Sequence, residues 1–212
     1  RPLEDSLVRV MAGREMILRR GRGYPLFSVP LEISTPPFLA LGAHLKNTVA
    51  LGHGKKLMLS PHIGDLETAA SLTHFDQCIQ DLECLYGVQP QHIACDAHPA
   101  YRSTQRAEAF HLPMTQVQHH HAHVAACMAE HRLTGPVLGI VWDGSGLGTD
   151  GTLWGGEFLR VTEKSFERLA HLRPFPLPGG ESAIREPRRA ALGLLYELYG
   201  ENILEQMDLP PL

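Results

Sequence analysis

Several features are scarce in this chain, and each scarcity excludes something. No apolar run comes near the ~20 residues of a membrane-spanning helix, and no signal peptide is expected at its start. Cysteine occurs four times in 212 residues, at Cys78, Cys84, Cys95 and Cys127. No two of these make a CxxC pair. A zinc finger or the disulfide framework of a small secreted domain is therefore not expected, and the usage suits a reducing cytoplasm. Net positive charge is missing as well: 19 Lys and Arg stand against 23 Asp and Glu, a formal charge of −4. That balance argues against a non-specific nucleic-acid surface. An initiator Met is lacking too, which points to a piece of something longer. What is present is ordinary for a globular protein, with 43% hydrophobic and 20% charged residues. The length allows a sizeable core, in one large domain or parts of two.

Against that background one stretch stands out, Gln118-His119-His120-His121-Ala122-His123. Four histidines fall within five residues, just after the short apolar run Met114 to Val117, and good helix formers continue from Ala122 to Arg132. The pattern predicts a strand that ends at Gln118 and a helix that begins at the histidines. On that helix His119 and His123 leave the same face one turn apart, the spacing at which two imidazoles can bind one metal ion. Val137 to Trp142 reads as a buried strand, and Asp143 stands where it ends. A carboxylate there would complete a three-ligand site with an open position. A lone histidine at a helix start is ordinarily a polar cap. The clustering and the i,i+4 pair are what make metal binding an equal alternative. His120 and His121 point elsewhere on the helix, and Cys127 is expected to pack in the core.

In chain order, residues 1 to about 30 are expected to pack as a separate piece, with Leu18 and Leu26 outside the main sheet. This piece holds the basic turn Arg19-Arg20-Gly21-Arg22-Gly23-Tyr24-Pro25. Its guanidinium groups suit a phosphate or carboxylate, although a solvated basic turn is the commoner explanation. Ser34-Thr35-Pro36-Pro37 reads as a linker. Three short strands in a meander come next (Phe38 to Ala43, Thr48 to Gly52, Lys56 to Ser60), with His53-Gly54 as the second turn. Then come a helix from Leu66 to Tyr86 stopped by Gly87, a strand His92 to Cys95, a helix Ser103 to Phe110, and a strand Thr115 to Gln118. This order is that of the ribonuclease-H-like unit of actin-like ATPases, an α/β fold with a mixed sheet.

A second unit starts the same way. Strands Val137 to Trp142 and Thr152 to Val161 flank a glycine-rich turn from Asp143 to Gly151, and one helix spans Ala183 to Tyr199 before Pro210-Pro211-Leu212. Gly144, Gly146 and Gly148 are expected to leave backbone N–H groups open to a nucleotide's phosphates. A bulky residue at Gly146 should block that approach while leaving the distant histidine helix folded. The equivalent turn of the first unit contains Lys46, a counter-charge, and Asn47. Tight hairpins use glycine in any case, so it is the pairing of two such turns that carries weight.

Seven stretches, RRGRGY (19–24), LGAHLKNT (41–48), LSPHIGDLE (59–67), CDAHPAY (95–101), QHHHAHVAA (118–126), DGSGLGTDGTLWGGE (143–157) and LPGGESAIREPRR (177–189), together resemble the HypF family of carbamoyltransferases that mature nickel–iron hydrogenases. The resemblance implies residues 1–33 as the tail of a YrdC-like domain and 34–37 as a linker. It implies 38–212 as a Kae1-like domain, with a first half-unit over about 38–135 and the start of a second from 136. It also implies a two-step chemistry, in which carbamoyl phosphate and ATP give a carbamoyl-adenylate at the YrdC-like domain. The Kae1-like domain then passes the carbamoyl group to the C-terminal cysteine of a HypE-type partner, on the way to a cyanide ligand. By the same resemblance His119, His123 and Asp143 are metal ligands for a divalent ion, zinc or iron. Lys46, Asn47, Gly144, Gly146 and Gly148 fall on the phosphates of ATP/Mg²⁺. The family's acylphosphatase-like and zinc-finger segments have no counterpart here, so hydrolysis of carbamoyl phosphate is not expected of this chain. Two other readings stand beside it. One is a relative of the tRNA threonylcarbamoyl transferases, which share the fold and an HxxxH pair. The other is a metal- and nucleotide-binding half-clamp without turnover when isolated.

Overall fold

The structure, a computed structural model, describes residues 4–24 and 28–202. Pro25 of the basic turn, Leu26 with the expectation made for it, and the closing Pro210-Pro211-Leu212 lie outside the described residues. At the start, β1 (Leu7–Met11) and β2 (Arg14–Arg19) form a two-stranded antiparallel sheet of their own. Ala12 and Gly13 turn it with φ of 50° and 74°, the doubly positive pair that a twisted two-residue hairpin requires. Leu18 is 53% exposed, outside any core. The His62 N–H donates to the Arg20 carbonyl and ties this hairpin to the main body of the chain.

The first main sheet has the order β4-β3-β5-β6, built from β3 (Val29–Ala40), β4 (Ala50–Leu59), β5 (His92–Asp96) and β6 (Met114–Val117). The β3–β4 pair is antiparallel, and the β3–β5 and β5–β6 pairs are parallel. The parallel connections need crossovers, supplied by α1 (Ala69–Tyr86) and α2 (Arg102–Glu108). Helix α1 opens on a Thr68 capping box and closes at Gly87 in the left-handed region, φ 62°. Its buried stripe, Phe75, Cys78, Ile79 and Leu82, recurs at helical spacing and packs with Leu39, Leu51 and Ile93.

Two expectations for this region are corrected. The proposed linker, 34–37, lies inside β3, which runs through both prolines. Its register against β4 shifts on either side of Thr35, so the two missing proline N–H groups fall where the ladder is already irregular. The three-strand meander is also absent, because Thr48 to Gly52 and Lys56 to Ser60 belong to the single strand β4 or its ends. Only Gly54 of the expected His53-Gly54 turn has a positive φ, 58°. One left-handed residue makes a kink in a continuing strand, whereas a two-residue reversal needs a primed turn.

The second sheet, order β7-β8-β9, is antiparallel: β7 (Val137–Leu147), β8 (Leu153–Val161) and β9 (Phe166–His171). Helix α3 (His119–His131) lies on it, with Val124 and Met128 against Val141, Trp154, Leu159 and Val161. The histidine helix, placed by sequence in the first half-unit, thus covers the second sheet. Gly139 permits the close approach, since a Cβ there would stand 2.4 Å from a Val124 methyl. Under the β7–β8 hairpin, Arg168 forks onto Glu157, which is 2% exposed, at 2.6 and 3.0 Å. The same guanidinium lies 4.1 Å over the Trp154 ring, and Trp154 donates its indole N–H to Asp150 at 3.0 Å. The expected single helix from 183 to 199 is two, α4 (Glu181–Arg185) and α5 (Pro187–Tyr199). Pro187 cannot donate to the preceding turn and restarts the helix at its first position. The whole is a mixed α/β arrangement of two main sheets and their helices.

Candidate metal centre

The first sheet ends and the second sheet's helix begins at Gln118, so the start of α3 is the seam between the two cores. Gln118 caps that helix with its side-chain oxygen, which accepts from the His121 N–H at 2.8 Å. At His119, Nδ1 lies 2.6 Å from Asp96 Oδ2 at the end of β5, and Nε2 lies 3.1 Å from Asp143 Oδ2 in β7. His119 therefore bridges the two sheets. Asp96 is 8% exposed, and its second oxygen accepts from the His98 N–H at 2.8 Å. A carboxylate so fixed sets the imidazole's orientation and directs Nε2 inward, as outer-shell carboxylates do for ligating histidines. One turn along, His123 Nε2 lies 3.9 Å from the same Asp143 oxygen, and its ring stands at 83° to that of His119 with centroids 4.9 Å apart. One ligand atom each from His119, His123 and Asp143 all fall within 4.8 Å of one another.

Asp143 reaches this point by a route the sequence did not announce. It is not at a strand end but within β7, in a bulge. Between Trp142↔Gly156 and Gly146↔Trp154, β7 advances by four residues while β8 advances by two, so 143–145 face Gly155 alone. Such a bulge re-aims side chains, and here it turns the carboxylate towards α3. Gly146 completes the arrangement, because a Cβ on it would stand 2.8 Å from His119 Cβ and 2.8 Å from His120 Cε1. The histidine helix, expected to be distant from Gly146, rests directly on it.

The charges are set by these contacts. Asp143 beside Nε2, and then Asp96 at Nδ1, push the His119 pKa up to about 9 against the opposing effect of burial. Burial and the neighbouring His119 charge lower the pKa of His123. For Asp143, burial alone would raise the pKa, but the His119 contact, the Gly144 N–H bond and the charges of His119 and His123 together leave it below the ordinary carboxylate value. Among the described residues, Asp143 Oδ2 is nevertheless enclosed without a well-aligned hydrogen-bond donor, and His120 Nε2 is enclosed without a hydrogen-bond partner. Imidazole nitrogens ringing an under-satisfied carboxylate oxygen form a donor set that a divalent cation would fit. Cavities of about 350 Å³ and about 270 Å³ open on either side and share His123, leaving room for a ligand beside the donors.

The expected phosphate-binding residues are placed differently. The Gly144 N–H donates to Asp143 Oδ1 at 2.8 Å, and the Gly148 N–H to the Thr152 carbonyl at 2.8 Å, so neither is open to an anion. The expected nine-residue turn is mostly strand: pairing persists to Leu147↔Leu153, and only 148–152 reverse the chain. Gly148 faces Trp154, with 2.0 Å from a would-be Cβ to the indole nitrogen, so its glycine identity serves packing. Gly144 alone of the three faces open space. Asn47 is 1% exposed and clamps its own turn through Nδ2 to the carbonyls of Leu41 and Ala43, while Lys46 is exposed. Cys127, expected in the core, is exposed on the His123 face of α3, because Val124 and Met128 carry the buried stripe.

Sequence reasoning missed Asp96, whose signal was its position at a strand end in the CDAHPAY stretch. It also set aside His120, which is fully buried 4.0 Å from Asp143 Oδ2. Tyr101 stacks on His98 at 4.2 Å, and its pKa is raised by burial, then by Asp96 and Asp143.

Family models match in tandem: the HypF Kae1-like domain over residues 34–130, and the second subdomain of the carbamoyltransferase Kae1-like domain over 139–210. The chain belongs to the HypF family. Carbamoyltransferase HypF of Synechocystis sp. is 47% identical, over 95% of this chain and 26% of that protein. Its counterpart in Rhizobium leguminosarum is 43% identical, over 91% of this chain and 25% of that protein. A crystal structure of full-length HypF in the phosphate- and nucleotide-bound form superposes with a TM-score of 0.91 at 43% identity, covering 97% of this chain and 28% of that one. The chain thus spans about a quarter of the length of these HypF relatives.

Proposed function

We propose that this chain is the metal-holding part of a HypF carbamoyltransferase acting in hydrogenase maturation. The observation that carries the reading is the convergence of His119 and His123 from α3 with Asp143 from β7, braced by Asp96. A divalent ion there, zinc or iron, would act as a Lewis acid towards a carbamoyl oxygen or the departing phosphate. The residues themselves have distinct tasks. Asp96 holds His119 Nδ1 so that Nε2 faces the centre, the bulge holds Asp143, and the paired cavities leave space beside His123 for a small planar acyl group.

The substrates are carbamoyl phosphate and ATP with Mg²⁺, by way of carbamoyl-adenylate, and the acceptor is the C-terminal cysteine of a HypE-type partner. The partner's thiolate sulfur bonds to the carbamoyl carbon as the C–O bond to AMP breaks, so no side chain of this chain need be the nucleophile. For the nucleotide, the exposed Lys46 is the residue best disposed to meet phosphate. The four cysteines are free thiols, which supports a cytoplasmic setting. Among the described residues no helix is long and apolar enough to cross a membrane. Since the chain is about a quarter of its relatives' length, turnover is assigned to the longer protein and metal binding to this chain.

The test is carbamoylation of the partner's C-terminal cysteine by the full-length protein, read by mass spectrometry with carbamoyl phosphate and ATP supplied. His119→Ala and Asp143→Asn should abolish transfer. Undiminished transfer by both would overturn the reading.

A further inference from the structure

The buried ring of His120 has no task in the proposed metal centre, although it is 0% exposed and aims a nitrogen at it. Its surroundings determine where its proton sits. Gln118 Oε1 accepts from the His121 backbone N–H at 2.8 Å, which identifies that atom as the oxygen. The other atom of the amide, Nε2, lies 3.1 Å from the Leu147 carbonyl, which can only accept. Both contacts orient the amide the same way. The second hydrogen of Nε2 then points to His120 Nδ1, 3.2 Å away. A nitrogen that accepts a hydrogen bond carries no proton, so the ring proton of His120 is on Nε2. That N–H faces Asp143 Oδ2 at 4.0 Å; among the described residues His120 Nε2 has no other hydrogen-bond partner, and Asp143 Oδ2 has only the His119 Nε2 contact at 3.1 Å. A movement of about 1 Å would bring them to ordinary hydrogen-bond distance.

We propose that Gln118 locks His120 as its Nε2–H tautomer, and that His120 donates this hydrogen bond to Asp143 Oδ2, aiming the carboxylate without itself being a metal ligand. Ligation by Nε2 would require the proton to move to Nδ1, where it would meet a donor of Gln118. The lock therefore separates the clustered histidines by role: His119 and His123 keep Nε2 available to a metal, and His120 does not. His120 is a positioning residue in this scheme. Its consequence for metal affinity rests on the proposed metal centre, whereas the tautomer and the hydrogen bond do not.

The test uses this protein with ¹⁵N-labelled histidine, without metal and with Zn²⁺ added. The His120 signals are identified by their loss in His120→Gln. Long-range proton–nitrogen spectra should show His120 with a protonated Nε2 and an unprotonated Nδ1 in both conditions. A protonated Nδ1, or ligation shifts at His120 Nε2 on adding Zn²⁺, would overturn the proposal. In parallel, His120→Phe, which keeps a ring and loses the donor, should weaken Zn²⁺ binding about 10- to 100-fold, in the range seen for outer-shell partners. His120→Gln, whose amide can donate from a similar position, should recover most of that loss. Unchanged affinity in a folded His120→Phe variant would overturn the role in aiming Asp143. Failure of the metal centre has a separate signature, Zn²⁺ affinity unaltered by His119→Ala, and the tautomer spectra still decide the His120–Asp143 bond.

Discussion

Gly146→Ala is the substitution for which the structure and the simplest sequence reading predict different outcomes. On the view that Gly146 serves a phosphate-binding turn, the change should spare the histidine helix. In the structure the added Cβ would stand 2.8 Å from His119 Cβ, 2.8 Å from His120 Cε1 and 3.0 Å from His119 Cγ. Carbon atoms pack at about 3.5–4.0 Å, so the first turn of α3 and the bulge must part by roughly 0.5–1.2 Å. These neighbours are the rigid stems of two histidines, one of them fully buried, and cannot swing aside as a flexible tip would. Overpacking of this kind costs about 1–3 kcal/mol. The displacement also exceeds the ~0.5 Å within which a binding constellation must be held. Zn²⁺ affinity, measured by chelator competition, should therefore fall about 10- to 100-fold, with a lowered urea midpoint. Gly144→Ala is the control: its Cβ meets nothing within 4 Å and its φ is not in the left-handed region. It should change stability by no more than about 0.5 kcal/mol and leave Zn²⁺ affinity as it was. Equal Zn²⁺ affinity and stability in Gly146→Ala and the parent would refute the argument.

Three further outcomes are expected. The double change His119→Ala, His123→Ala should remove bound metal, read by elemental analysis, while the circular dichroism of the fold persists; undiminished metal would count against the centre. Because the folded-state pKa of His119 is raised from 6.5 to about 9, its proton contributes stability that is fully present below pH 6.5 and is lost as pH rises through 9. Urea midpoints of the metal-free protein should therefore decline over that window and flatten in His119→Ala. Metal must displace the same proton, so apparent Zn²⁺ affinity should rise up to about tenfold per pH unit in that window; a flat profile would exclude His119 as ligand. Arg168→Met should strand Glu157, 2% exposed, as an unpaired buried carboxylate and cost about 3–5 kcal/mol in urea unfolding; a loss within the error of that measurement would show the pair to be dispensable.

Much was legible in the residues alone because it depends on local rules. The i,i+4 spacing of His119 and His123 is a consequence of helical geometry, and Gln118 before a run of helix formers marks where that helix begins. Gly87 as a left-handed stop for α1 and the alternation of helices and strands from Ala69 to His131 were readable for the same reason. Tertiary structure decided the rest. Whether His53-Gly54 reverses the chain or only kinks it depends on pairing with β3 across 19 residues of sequence, from Thr35 to Gly54. Asp96 became the brace of His119 only through parallel pairing of β5 with β6, which lays the end of one strand beside the start of α3. Gly146 and Gly148 look like a phosphate-binding pattern in one dimension, yet in three their missing side chains admit His119, His120 and Trp154. Composition determines that glycine can be approached closely; only the packing of a helix and a hairpin onto the same bulge determines what approaches it.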